Sequence, residues 1–124
     1  MKKLFVIVFA MFYSQASAHE MTPTYFELSQ SYIDNVLKTT IELFNRREDV
    51  KYYEINVYDK DWKEIPFVTT NKIVHLEYLT KESIDIYIRN IDKDKITYIC
   101  TLSKFLKGSE TKTNVASRIC SKIK

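Results

Sequence analysis

Two histidines and two cysteines are the residues of this 124-residue chain best suited to chemistry. Cys100 and Cys120 are too far apart for the C-x-x-C spacing of a redox-active pair. In an oxidising compartment two such cysteines form a disulfide, and closing a loop of about twenty residues is worth roughly 3 kcal/mol in the chain-entropy model. Oxidised cysteines are neither nucleophiles nor metal ligands. A Ser-His-Asp or Cys-His arrangement would then have to use His19 or His75, and neither stands beside a nucleophile in sequence. The carboxylate pairs Glu48-Asp49 and Asp59/Asp61 fall in turn segments, where capping and solvation are their usual roles. Gly108 is the only glycine, which excludes a Gly-rich phosphate loop. These residues predict a protein without catalytic activity.

The start of the chain sets the compartment in which these residues work. Lys2 and Lys3, the apolar run from Leu4 to Tyr13 and Ala16-Ser17-Ala18 make the three parts of a secretory signal peptide. The run is about ten residues long, against the roughly twenty needed to span a bilayer, so cleavage without stable membrane insertion is expected. Residues 1–18 are then a leader, 19–124 the mature domain, and the product periplasmic or secreted. The short apolar core fits a bacterial signal. The 19 basic and 16 acidic residues fall to 17 against 16 without Lys2 and Lys3. A net charge near +1, with both signs interleaved, excludes nucleic-acid binding driven by phosphate neutralisation.

Cleavage after Ala18 would make His19 the first residue. Its α-amine and imidazole, with His75 as a third nitrogen, could then hold a copper ion in the T-shape called a histidine brace. The N-terminal histidine resembles that of periplasmic copper carriers, and this resemblance implies a small copper-binding protein as the alternative function.

The elements that must position these residues are strands. Leu37, Thr39, Ile41 and Leu43 alternate with polar residues, as do Tyr53, Ile55 and Val57, then Val74, Leu76 and Tyr78, and most clearly Ile84, Ile86 and Ile88. Lys95 to Leu102 and Asn114 to Ile123 are rich in β-branched and aromatic residues. With Tyr25 to Ile33, about seven strands are expected. Turns fall at Asp34-Asn35, Asn45 to Asp49, Asp59 to Asp61, Asn71 and Asn90 to Asp94, where Asn and Asp tolerate left-handed backbone. A helical pattern finds only a partial match, over Tyr32 to Phe44. The expectation is one all-β domain, an immunoglobulin-like antiparallel sandwich.

The order of signals from Lys38 to Leu102 resembles the N-terminal domain of PapD-like periplasmic pilus-assembly chaperones. Lys38 opens the second strand, Asn45 closes it, and Lys51 to Tyr58 is the third. Pro66, Ile73 to Leu79, Thr80 to Glu82 and Ser83 to Arg89 follow as the proline segment, strand, polar turn and strand ending in a basic residue. Tyr98-Ile99-Cys100 is similar to the Y-x-C of antibody-type domains, although its partner cysteine lies later in the chain, so the bridge pins the C-terminus rather than the two sheets. The resemblance implies a chaperone-like, protein-binding module. The family's carboxylate-binding arginine on the first strand falls on Gln30, while Arg118 and Lys122 stand on the last.

The last strand is therefore the candidate for holding another protein by β-strand addition. Val115, Ile119 and Ile123 would line one face, with Ser117 and Ser121 keeping it narrow. Arg118 and Lys122 on the other face would meet an acidic or carboxylate-bearing partner. Tyr52, Tyr58, Trp62 and Tyr87 are expected to be exposed and offer a second surface.

Overall fold

The structure is a computed structural model that describes residues 19–105 and 116–124. The leader expected over residues 1–18 lies outside them. The protein is an all-β sandwich of two sheets. Its four long strands are β4 (Val36–Phe44), β5 (Tyr52–Asp59) and β7 (Lys81–Arg89), expected from alternation, and β8 (Ile96–Lys104), expected from its β-branched and aromatic content. The helical match over Tyr32 to Phe44 yields to strand because Leu37, Thr39, Ile41 and Leu43 all turn inward.

β4 and β7 run antiparallel along their whole length and form the centre of the first sheet. In the second sheet β8 lies between β5 and β9 (Arg118–Ile123), and β6 (Ile73–His75) closes the far side of β5. Ile41, Leu43, Tyr53, Ile55, Val57, Ile86, Ile88 and Ile99 fill the space between the sheets, each essentially removed from water. Burying side chains of this size is worth about 1.5–3 kcal/mol apiece before chain entropy is counted.

Among the described residues nine strands are present rather than about seven, because the first segment is divided between the sheets. β1 (Glu20–Thr22) pairs with one end of β4. At the cis Thr22–Pro23 bond the chain crosses over, and β2 (Tyr25–Phe26) runs parallel to the end of β9. It then returns as β3 (Ser29–Gln30), paired with the other end of β4. The continuous strand expected over Tyr25 to Ile33 is thus two short pieces and a turn. Gln30, at the place of the family's arginine, donates from Nε2 to the carbonyls of Ile33 and Val36, and so fastens that turn.

The strand expected over Val74 to Tyr78 stops at His75, and the chain turns through Leu79, whose φ of 59° is left-handed. Asn35 and Trp62 share that conformation, each with φ of 62°. Asn45 is wholly buried at the junction. Its Nδ2 donates to the carbonyls of Val50 (2.7 Å) and Leu76 (2.8 Å), and its Oδ1 accepts from the Arg47 N–H and the Tyr53 hydroxyl. One side chain therefore ties the end of β4 to β5 and to the segment after β6.

Candidate functional site

On the second sheet, Tyr53, Ile55, Val57, Ile99, Thr101 and Ser103 point inward. The side chains between them, including Tyr58, Tyr98 and Cys100, point outward by strand alternation. Cys100 and Cys120 are directly opposed on β8 and β9, and they form a disulfide on this outer face. The bridge pins the last strand to its neighbour. On one side of it lies the rung Leu102/Arg118, and on the other the rung Tyr98/Lys122.

Trp62 sits over this arrangement. It belongs to the turn after β5, where Asp59 Oδ1 accepts from the N–H groups of Asp61 and Lys63, and the Trp62 N–H donates to the Asp59 carbonyl. Its left-handed backbone costs a non-glycine residue about 1–2 kcal/mol, and the indole's contacts offset that cost. The ring lies flat against Tyr98, with centroids 4.2 Å apart and planes 1° from parallel, and Tyr58 approaches at 5.8 Å. The Arg118 guanidinium carbon is 5.1 Å from the indole centroid. Arg118 and Tyr98 start from rungs on opposite sides of the disulfide, and both meet Trp62. Cys100, although directed outward, is only 2% exposed, whereas Cys120 is half-buried. Trp62 itself remains 46% exposed.

Lys122 extends the surface. It is exposed, paired across the ladder with Tyr98 and on its other side with the exposed Tyr25 of β2. Neither Arg118 nor Lys122 has an ion-pair partner among the described residues. Lys104 on the same face is held by Glu54 at 2.9 Å. That contact and a bond from Asn56 hold the Glu54 carboxyl below the usual carboxylate range.

The last strand is not the open edge expected from the sequence. β9 has β8 on one side and β2 on the other, and Thr24 covers it further, its carbonyl accepting from the Lys122 N–H and the Ser121 hydroxyl. Ile119 and Ile123 pack against the sandwich core, and Ser121 is buried. Val115 and Asn114 lie outside the described residues. Of the residues expected to bind a partner, only Arg118 and Lys122 are presented to solvent, and they offer side chains rather than backbone. Tyr52, Tyr58 and Tyr87 are half-buried, while Trp62 is the exposed aromatic of that set.

The two histidines are on opposite sides of the sheet. His75 stacks on the outward Tyr52 and faces Glu77. His19 packs against the inward Tyr53, with ring centroids 4.6 Å apart and planes tilted by 50°, and is only 1% exposed. Its Nε2 lies 2.7 Å from the Thr101 hydroxyl and its Nδ1 3.1 Å from that of Ser117, so both ring nitrogens already have partners. Burial lowers its pKa to about 4, a bond to Thr101 acts in the opposite direction, and the charge of Arg47 adds to the lowering. The histidine brace is therefore not assembled. Among the described residues no group of three His, Cys, Asp or Glu side chains comes together to hold a metal.

Sequence reasoning missed the inner polar network of His19, Asn45, Thr101, Ser103 and Ser117. The Trp62 stack was legible only as an aromatic beside an Asp-rich turn. No protein-family model matches the chain, and no curated protein matches it.

Proposed function

We propose that this protein is a non-catalytic interaction module of the periplasm or extracellular space, organised like a single PapD-like chaperone domain, which binds another protein through the outer face of its second sheet. The observation that supports this reading is the half-exposed Trp62, clasped by Tyr98 and Arg118 beside Tyr58 and Lys122. Trp, Tyr and Arg are the residues enriched at the energetic centres of protein interfaces. A pre-stacked group also loses little side-chain entropy when a partner arrives. The Cys100–Cys120 bridge fits the oxidising compartment that the module would occupy. The outer face, rather than an edge strand, is the surface on offer.

The test is site-specific photo-cross-linking in the producing cells. A photoreactive residue at Tyr58 should give a discrete protein adduct that Trp62→Ala abolishes, while the same residue at Thr40, on the first sheet, should give none. Adducts of equal yield at both positions, or at neither, would overturn the proposal.

A further inference from the structure

The charge left unmatched on this face among the described residues says what kind of segment fits it. The outward positions of β8 from Tyr98 to Lys104 and of β9 from Arg118 to Lys122 carry three cations and no carboxylate, and only Lys104 is neutralised, by Glu54. In the neighbouring turn, Asp59 Oδ1 accepts from the N–H groups of Asp61 and Lys63. Arg118 is already oriented by its position over Trp62. A guanidinium stacked on an aromatic ring keeps its planar edge of N–H donors free, in the geometry that a carboxylate accepts in bidentate fashion. Lys122 supplies a second, point-like cation between Tyr25 and Tyr98.

We infer, resting on the reading above, that the segment held on this face is acidic: an extended stretch of a partner protein that presents one carboxylate to Arg118 and another to Lys122, its backbone crossing the Trp62–Tyr98 platform. In an extended chain, side chains two apart share a face, so acidic residues at alternate positions suit the site. The contact is made by side chains, and Thr24 and β2 cover the β9 backbone at Lys122 and Ile123.

The probe is a fluorescein-labelled hexapeptide of alternating Glu and Thr, with its Gln counterpart and a sulfated heparin oligosaccharide as comparisons, titrated into the disulfide-bonded protein by fluorescence polarisation. The Glu peptide should bind, weaken as salt is raised, and lose about tenfold or more in affinity when Glu becomes Gln. Arg118→Lys should weaken it roughly fivefold because the ammonium cannot reproduce the fork. The doubly substituted Arg118→Gln, Lys122→Gln protein, whose changes are both on exposed side chains, should bind it no better than background. Equal binding by that variant, equal binding of the Gln peptide, or binding of the oligosaccharide without the peptide would each overturn the inference. A Tyr58 cross-link to a partner in the absence of any acidic-peptide binding would overturn this inference alone and leave the interaction module standing.

Discussion

The two sides of the second sheet use polar and aromatic side chains in opposite ways. Inward, His19, Asn45, Tyr53, Thr101 and Ser103 form hydrogen bonds with one another or with nearby backbone, and no buried side-chain polar atom among the described residues lacks a partner. Outward, Trp62, Arg118 and Lys122 are ordered but leave donors and ring surface to solvent. Polar chemistry that is closed on itself stabilises the fold. Chemistry that is held in place and left open is available to a partner. The inner histidine, suited by type to bind a metal, belongs to the first kind, and an arginine on a plain strand belongs to the second.

Substitutions on the inner side should therefore cost stability and leave the outer face unchanged. The largest effect is expected for Asn45→Ala. It removes both donors and the acceptor of a fully buried amide and orphans the Val50 and Leu76 carbonyls, the Arg47 N–H and the Tyr53 hydroxyl at once. Leaving several buried groups unpaired should lower unfolding free energy by about 3–5 kcal/mol. Chemical denaturation measures this, and a loss under 1 kcal/mol would show that water replaces the amide. Tyr53→Phe, which leaves the other three bonds in place, should cost only about 1–1.5 kcal/mol.

What the sequence disclosed and what it hid separate along a physical line. The alternation of Ile84, Ile86 and Ile88 survives intact in β7 because both partners of that strand's pattern, core and solvent, are local in sequence. The same holds for β4 and β5; β8 was found from its β-branched and aromatic content, and two cysteines sufficed for the bridge. The first segment was not legible, because its residues pair in turn with β4, β9 and β4 again, and periodicity does not say which sheet a strand joins. The functional residues followed the same division. Arg118 and Lys122 were found from strand parity, whereas the clasp on Trp62 depends on Tyr98 and Arg118, distant in the chain. His19 was read as a free ligand because nothing local shows that Tyr53, Thr101 and Ser117 enclose it.

That enclosure gives the inner side a pH dependence of its own. His19 is held neutral, with its pKa lowered from 6.5 to about 4 chiefly by burial. Between those values the unfolded chain binds a proton that the folded chain does not, so stability falls as pH drops through that window and the full loss is reached below about 4. The loss amounts to about 2–3 kcal/mol, and replacing His19 with Asn should remove it from the stability-versus-pH curve. Denaturation midpoints for both proteins between pH 7 and pH 4 test this. A wild-type curve parallel to that of His19→Asn would place the titrating group elsewhere.

The smallest change in stability and the most specific readout are expected for Trp62, whose removal opens the outer face without touching the inner one. Losing the indole should cost under about 1 kcal/mol, since an exposed ring in left-handed backbone gives up strain as well as contacts, and Trp62→Gly, which relieves the strain fully, should cost less than Trp62→Ala. The disulfide beneath should respond much more. Thiol–disulfide exchange depends on access to the sulfur; Cys100 is nearly sealed although it points away from the core, and Trp62, Tyr98 and Arg118 flank the bridge on its outer face. Reduction by dithiothreitol under native conditions, followed by alkylation and mass analysis, should proceed roughly tenfold faster in both variants than in wild type. Arg118→Ala should give an intermediate rate, because Tyr98 still holds the ring over one rung. If all three reduce at the wild-type rate, the low exposure of Cys100 has another origin and the stack does not cover the bridge. A faster rate in the Trp62 variants at unchanged stability would show that the side chains offered to a partner are also the ones that shield the disulfide.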